Sequence, residues 1–129
     1  MLGHESRVFT LSEVRACLPI IKKVTEYAYQ QLQPFQYKLE RMLCNDPRRK
    51  TVQVEYEEVV QTWKQKMERL GVLPVGLWQI EFDVGDAYIC WKYAEIRVNY
   101  ARSKASKHFS DRLSLPDYIE LYDPDWASS

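Results

Sequence analysis

The sequence predicts an α+β fold: a long antiparallel helical hairpin packed on a small three-stranded antiparallel β-meander, with the C-terminal tail docked. Two observations carry this expectation. An apolar stripe runs for 32 residues in steps of three and four, through Leu11, Val14, Leu18, Ile21, Thr25, Ala28, Leu32, Phe35, Leu39 and Met42. Such a stripe is a helix face made for burial against another helix. After Leu73-Pro74 the apolar period falls from helical spacing to two, which marks half-buried strands.

The elements follow in order. Thr10 with Glu13 three residues later is a capping-box pattern, and Phe9 can pack as the staple residue ahead of it. The first helix is expected within 8–44. Pro19 and Pro34 fall inside the stripe and predict kinks, with the register continuing across both. Asn45-Asp46-Pro47 ends the helix. Tyr56, Val59, Val60, Trp63, Met67 and Leu70 write a second helix within 51–71, with Gly71 as its left-handed C-cap. The basic connector Arg48-Arg49-Lys50 reads as a solvated hairpin turn. Ile20, Tyr27, Tyr29 and Tyr37 flank the main stripe, and this surplus apolar surface must meet the sheet or a second copy of the chain.

The meander is expected over 77–100. A two-residue turn at Gly85-Asp86 pairs Phe82 with Ile89, Ile80 with Trp91 and Trp78 with Tyr93, so apolar meets apolar on one face. A second two-residue turn at Tyr93-Ala94 then pairs Trp91 with Ile96 and Ile89 with Val98. Residues 101–129 form a basic loop and an acidic tail. Pro116 to Trp126 holds four acidic and five large apolar residues, so its apolar groups are expected to dock on the body. Asp117 or Glu120 is expected near the basic loop.

Composition bounds the function. A chain of 129 residues fits one domain and buries roughly two-thirds of its unfolded surface without disulfides or metal. Eighteen basic and eighteen acidic side chains cancel, so no global field draws in nucleic acid or membrane. No apolar run approaches the ~20 residues of a membrane span, and the first seven residues have no signal-peptide core. Cys17, Cys44 and Cys90 have no metal-type spacing, which points to reduced thiols and a cytoplasmic protein. No metal set, cofactor motif or catalytic constellation is assigned.

Three cross-strand rows are expected on the polar sheet face: Gln79, Lys92 and Glu95; Glu81, Cys90 and Arg97; Asp83, Tyr88 and Asn99. In the middle row Arg97 favours a Cys90 thiolate and Glu81 opposes it. The favoured reading is a solvated face whose ion pairs are worth ~0.2–1 kcal/mol each. Arg97, Arg102, Lys104, Lys107, His108 and Arg112, interleaved with Tyr100 and Phe109, form a basic patch of the kind that tracks a nucleic-acid backbone.

Phe9-Thr10-Leu11-x-Glu13 with Leu18-Pro19, Leu70-Gly71, Gly76-Leu77, Cys90-Trp91-Lys92 with Glu95-Ile96, and Phe109-x-x-Arg112 together resemble the bacterial domain-of-unknown-function family number 2203. The resemblance spans roughly residues 8 to 115 and implies a cytoplasmic bacterial protein, with no reaction attached. This chain departs from the family pattern at Ala94, where glycine precedes the glutamate, at Asn99-Tyr100 in place of an aromatic-histidine pair, and at Gln79 in place of an aspartate. The leading expectation is a non-enzymatic protein-association module, with a homodimer as its leading form. The alternatives are a small-anion or phosphate-binding module using Glu95, Arg97 and Arg112, and a nucleic-acid accessory protein using residues 97–112.

Overall fold

The computed structural model describes residues 7–106 and 111–128. Helix α1 spans Leu11–Arg41 and α2 spans Arg49–Arg69. A five-stranded antiparallel sheet follows, its strands adjacent in chain order: β1 Leu73–Gly76, β2 Gln79–Asp83, β3 Ala87–Lys92, β4 Tyr100–Ser103 and β5 Leu113–Ser114. Helix α3, Leu115–Tyr122, and a short 3-10 turn, Asp125–Ser128, close the chain. The sheet therefore holds two more strands than the three expected, and the tail contributes a helix.

The capping box forms as the sequence predicts. The Glu13 N–H donates to the Thr10 hydroxyl at 3.2 Å, and the Thr10 N–H donates to the Glu13 carboxylate at 2.9 Å. These bonds hold the Glu13 carboxyl below its ordinary range, the contact to the Thr10 backbone contributing most. Phe9 is buried ahead of the cap with its ring edge-on to Phe82 at 5.3 Å. Pro19 and Pro34 both lie within one continuous helix, on its exposed side. On such a face solvent can answer a carbonyl that a missing N–H leaves without its helical partner.

The stripe faces inward as far as Leu32: its first seven positions are at most 6% exposed. Thr25, its polar member, accepts a 2.9 Å hydrogen bond from the Trp63 indole, so a buried hydroxyl and a buried N–H satisfy each other. At the far end of α2 the Val72 N–H reaches the Met67 carbonyl and the Gly71 N–H reaches Glu68, with Gly71 at φ 85°. This is a Schellman closure, and only glycine takes that φ without strain. In the hairpin turn Arg48 pairs with Asp46 at 2.9 Å, while the Arg49 guanidinium donates to the carbonyls of Leu39 and Met42. Arg49 thus caps the end of α1 rather than standing in solvent.

The β2–β3 register matches the expected one, with Phe82 opposite Ile89 and Ile80 opposite Trp91, and with Gly85 at φ 110° in the turn. Trp78 lies just before β2 with positive φ, buried against Trp63 at 5.0 Å and Tyr29 at 6.2 Å. The β3–β4 register does not match. Ile89 faces Ala101 and Cys90 faces Tyr100, a displacement of three residues from the Ile89–Val98 pairing.

The reason lies in the turn after β3. A tight turn does close at Tyr93-Ala94, whose peptide is cis, with the Glu95 N–H on the Lys92 carbonyl at 2.8 Å. Glu95 is then consumed: its carboxylate accepts the Lys92 N–H and its carbonyl accepts the Trp91 indole N–H, both at 2.9 Å. The chain leaves the sheet, Ile96 points to solvent, and pairing resumes only at Tyr100. In that register β4 is paired on both edges, since Tyr100 meets Ser114 and Ala101 meets Leu113. Ala94 is not among the residues with positive φ, so this turn has no need of glycine there.

The tail docks through Tyr118 and Trp126, while Ile119 is half-buried and Leu121 and Tyr122 stay exposed. Tyr118 and Trp126 are buried with ring centroids 5.9 Å apart, and the Trp126 indole donates to Asp86 at 3.0 Å. Trp91 is wholly buried on the helix-facing side. Trp91→Ala removes that ring and the bond to the Glu95 carbonyl, and is expected to cost about 3–5 kcal/mol in urea unfolding. Near-native stability would show that the hairpin does not pack on the helices as described.

Candidate functional site

The rear face of the sheet, away from the helices, carries most of the sequence-predicted site residues. Strand alternation puts Glu81 of β2, Tyr88 and Cys90 of β3, and Tyr100 and Arg102 of β4 on this side. The three-residue displacement of β4 removes Arg97 from the middle row and puts Tyr100 opposite Cys90, while Arg102, opposite Tyr88 in the next row, reaches diagonally to Glu81. The Arg102 guanidinium grips Glu81 in a bidentate pair, Nη2 to Oε1 at 2.6 Å and Nε to Oε2 at 2.8 Å. It also donates to the Ser106 carbonyl and stacks over Tyr88 at 4.8 Å.

The expected solvated face is corrected here, because Glu81 is 1% exposed and Cys90 fully buried. A lone buried carboxylate costs several kcal/mol, so the pair forms only because the bidentate geometry answers both oxygens. The same bond to Glu81 raises the Arg102 pKa above its ordinary value.

Cys90 lies beneath this pair and its thiol donates to Glu81 Oε2 at 3.6 Å. Burial pushes the thiol up to about 12, the Glu81 charge and hydrogen bond add to the rise, and Arg102 and Arg112 oppose it. At neutral pH the sulfur is a protonated donor and a poor nucleophile.

Two more ion pairs flank the centre. Lys104 meets Asp83 at 2.9 Å, and Arg112 meets Glu95 at 3.3 Å while stacking over Tyr100 at 4.1 Å. Of the basic patch, Arg102, Lys104 and Arg112 therefore face carboxylates of the sheet and its turn. Among the described residues none pairs with Asp117 or Glu120 of the tail. Lys107 and His108 lie outside the described residues.

Lys92 is exposed at the end of β3. Arg97 is exposed on the connector between β3 and β4, beside α1 and α3, and far in register from Cys90. Glu95 and Arg112 are thus brought together, while Arg97 is not with them. Among the described residues no His, Cys, Asp and Glu cluster suits a metal ion, and no helix is long and apolar enough to cross a membrane.

Arg102 is the residue that sequence reasoning placed in the patch but not in the centre. Its signal was Glu81 itself: a carboxylate one position from Ile80 and Phe82 in an inner strand calls for a cation within reach on the same face, and Arg102 supplies it from β4, across the intervening β3.

Cys44 is exposed at the hairpin turn, so the native protein contains its own reference thiol. With iodoacetamide at pH 8, followed by peptide mass spectrometry, Cys44 is expected to be modified and Cys90 to stay free until the chain unfolds. Equal rates at the two sites would show that Cys90 is neither buried nor held as a thiol.

The family described as an uncharacterized conserved protein (DUF2203) matches residues 7–115. No curated protein and no solved structure matches the chain. With the match running from just ahead of the α1 cap to the start of α3, across the hairpin and all five strands, the chain belongs to the DUF2203 family.

Proposed function

We propose that the protein is a non-enzymatic association module, and that the outer half of its helical hairpin joins a second copy of the chain. The observation that carries this reading is a change in burial along one stripe. From Leu11 to Leu32 the stripe is closed off from water, whereas Phe35, Leu39 and Met42 continue the same spacing only half-buried. Dimensions supply the reason. A helix the length of α1 extends about 46 Å at 1.5 Å per residue. The sheet is about 19 Å across and its longest strand about 20 Å, so it cannot cover α1 from end to end.

At the uncovered end Tyr37, Leu43 and Val54 are also exposed, and Leu43 is 74% open to solvent. Two such hairpin ends laid together make a four-helix arrangement in which the open stripe finds the partner its spacing requires. The Arg41 guanidinium over Tyr37 at 4.2 Å, at the rim of the patch, suits a polar border around an apolar centre. The nucleic-acid reading draws less support, because Arg102, Lys104 and Arg112 already face Glu81, Asp83 and Glu95. The protonated Cys90 favours binding over chemistry.

Sedimentation or light scattering at micromolar concentration is expected to give a dimer. Leu43→Glu, which alters an exposed side chain, and Phe35→Glu are expected to give monomers. The Leu43→Glu variant should keep the native circular-dichroism spectrum. A wild-type protein that stays monomeric to high concentration would overturn the reading.

A further inference from the structure

We propose that the groove between α1, the 93–99 connector and α3 binds a small amphipathic carboxylate, an organic anion with an apolar body. The groove is open on one side and offers about 760 Å³, within the range of about 300–1,000 Å³ usual for small-molecule sites. Leu18, Val98, Leu115, Pro116 and Ile119 give it an apolar floor. Arg15 on α1 and Arg97 on the connector stand at its border, and the one carboxylate of the lining is Glu120. Neither arginine has a carboxylate within ion-pair range among the described residues, in contrast to the cations of the rear face. Two cations against one anion, above an apolar floor, complement a ligand with one negative end.

The fold maintains this opening. The Leu115 N–H donates to the Asn99 carbonyl at 2.6 Å, which pins the start of α3 to the connector. Val98 and Leu115 are fixed in the core below it, while Arg15 and Arg97 remain exposed. The departure of residues 96–99 from the sheet is what carries Arg97 here.

The test uses three probes with one common chain and different heads: decanoate, 1-decanol and decylammonium. Binding is followed by amide chemical-shift changes in the full chain. Decanoate is expected to bind most tightly and decylammonium least, with the shifts centred on Val98, Leu115 and Ile119. Arg15→Gln and Arg97→Gln are each expected to weaken decanoate about twofold to fivefold, as for a solvent-exposed ion pair, and to leave decanol unchanged. Glu120→Gln is expected to tighten decanoate. These substitutions alter exposed side chains and should leave the rest of the spectrum intact. Decanoate binding no better than decanol, binding away from the groove, or no binding up to the solubility limit would each overturn the proposal.

Discussion

A carboxylate at the centre of a sheet needs a cation that reaches both of its oxygens, and this requirement on Glu81 organises the rear half of the molecule. Arg102 meets it with two bonds of 2.6 and 2.8 Å. To do so, β4 must lie with Tyr100 and Arg102 outward and Ala101 inward against Ile89. That register fixes where β5 pairs and how Arg112 comes over Tyr100, and it leaves residues 93–99 to cross the end of the sheet as a loop. Pairing a buried charge rarely adds net stability over an apolar substitute, but losing one partner is costly. Here the pair works against strand slippage: moving β4 by one residue would bury Arg102 among the helices and strand Glu81.

The front half obeys a different constraint. The α1 stripe is satisfied by α2 and the sheet for most of its length, with Thr25 and Trp63 closing the one polar gap through a hydrogen bond. Its last turns outreach the sheet. The two halves therefore differ in what they leave open: the hairpin end leaves apolar surface, and the connector leaves a groove with two uncommitted arginines. The rear face, where the sequence concentrated its chemistry-bearing residues, is instead closed and internally neutralised.

Much of this was legible in the sequence because it depends on neighbours in the chain. The Thr10 cap, the stripe, the Gly71 terminus and the Gly85 turn each need only a few adjacent residues, and the alternation from Gln79 to Lys92 fixes the central hairpin. The β4 register was not legible, because Ile96, Val98 and Tyr100 alternate as well as Tyr100 to Ser103 do. The choice rests on Glu95 being consumed in the turn and on β5 arriving from beyond residue 111. Strand β1 was hidden by Pro74, which is tolerated at a short sheet edge. Helix α3 had a local signal in Ser114, whose hydroxyl accepts the Asp117 N–H at 3.3 Å, with Pro116 in its first turn. The groove had none, since its lining comes from three distant stretches of chain.

Arg102, and not Arg97, answers Glu81. A double-mutant cycle on folding stability tests it directly, using Glu81→Gln with Arg102→Met and, separately, Glu81→Gln with Arg97→Met. A coupling of about 2–3 kcal/mol is expected for Glu81 with Arg102, and a value near zero for Glu81 with Arg97. Coupling of Glu81 to Arg97, with Arg102 independent, would place β4 in the other register and rule out the Glu81–Arg102 pair.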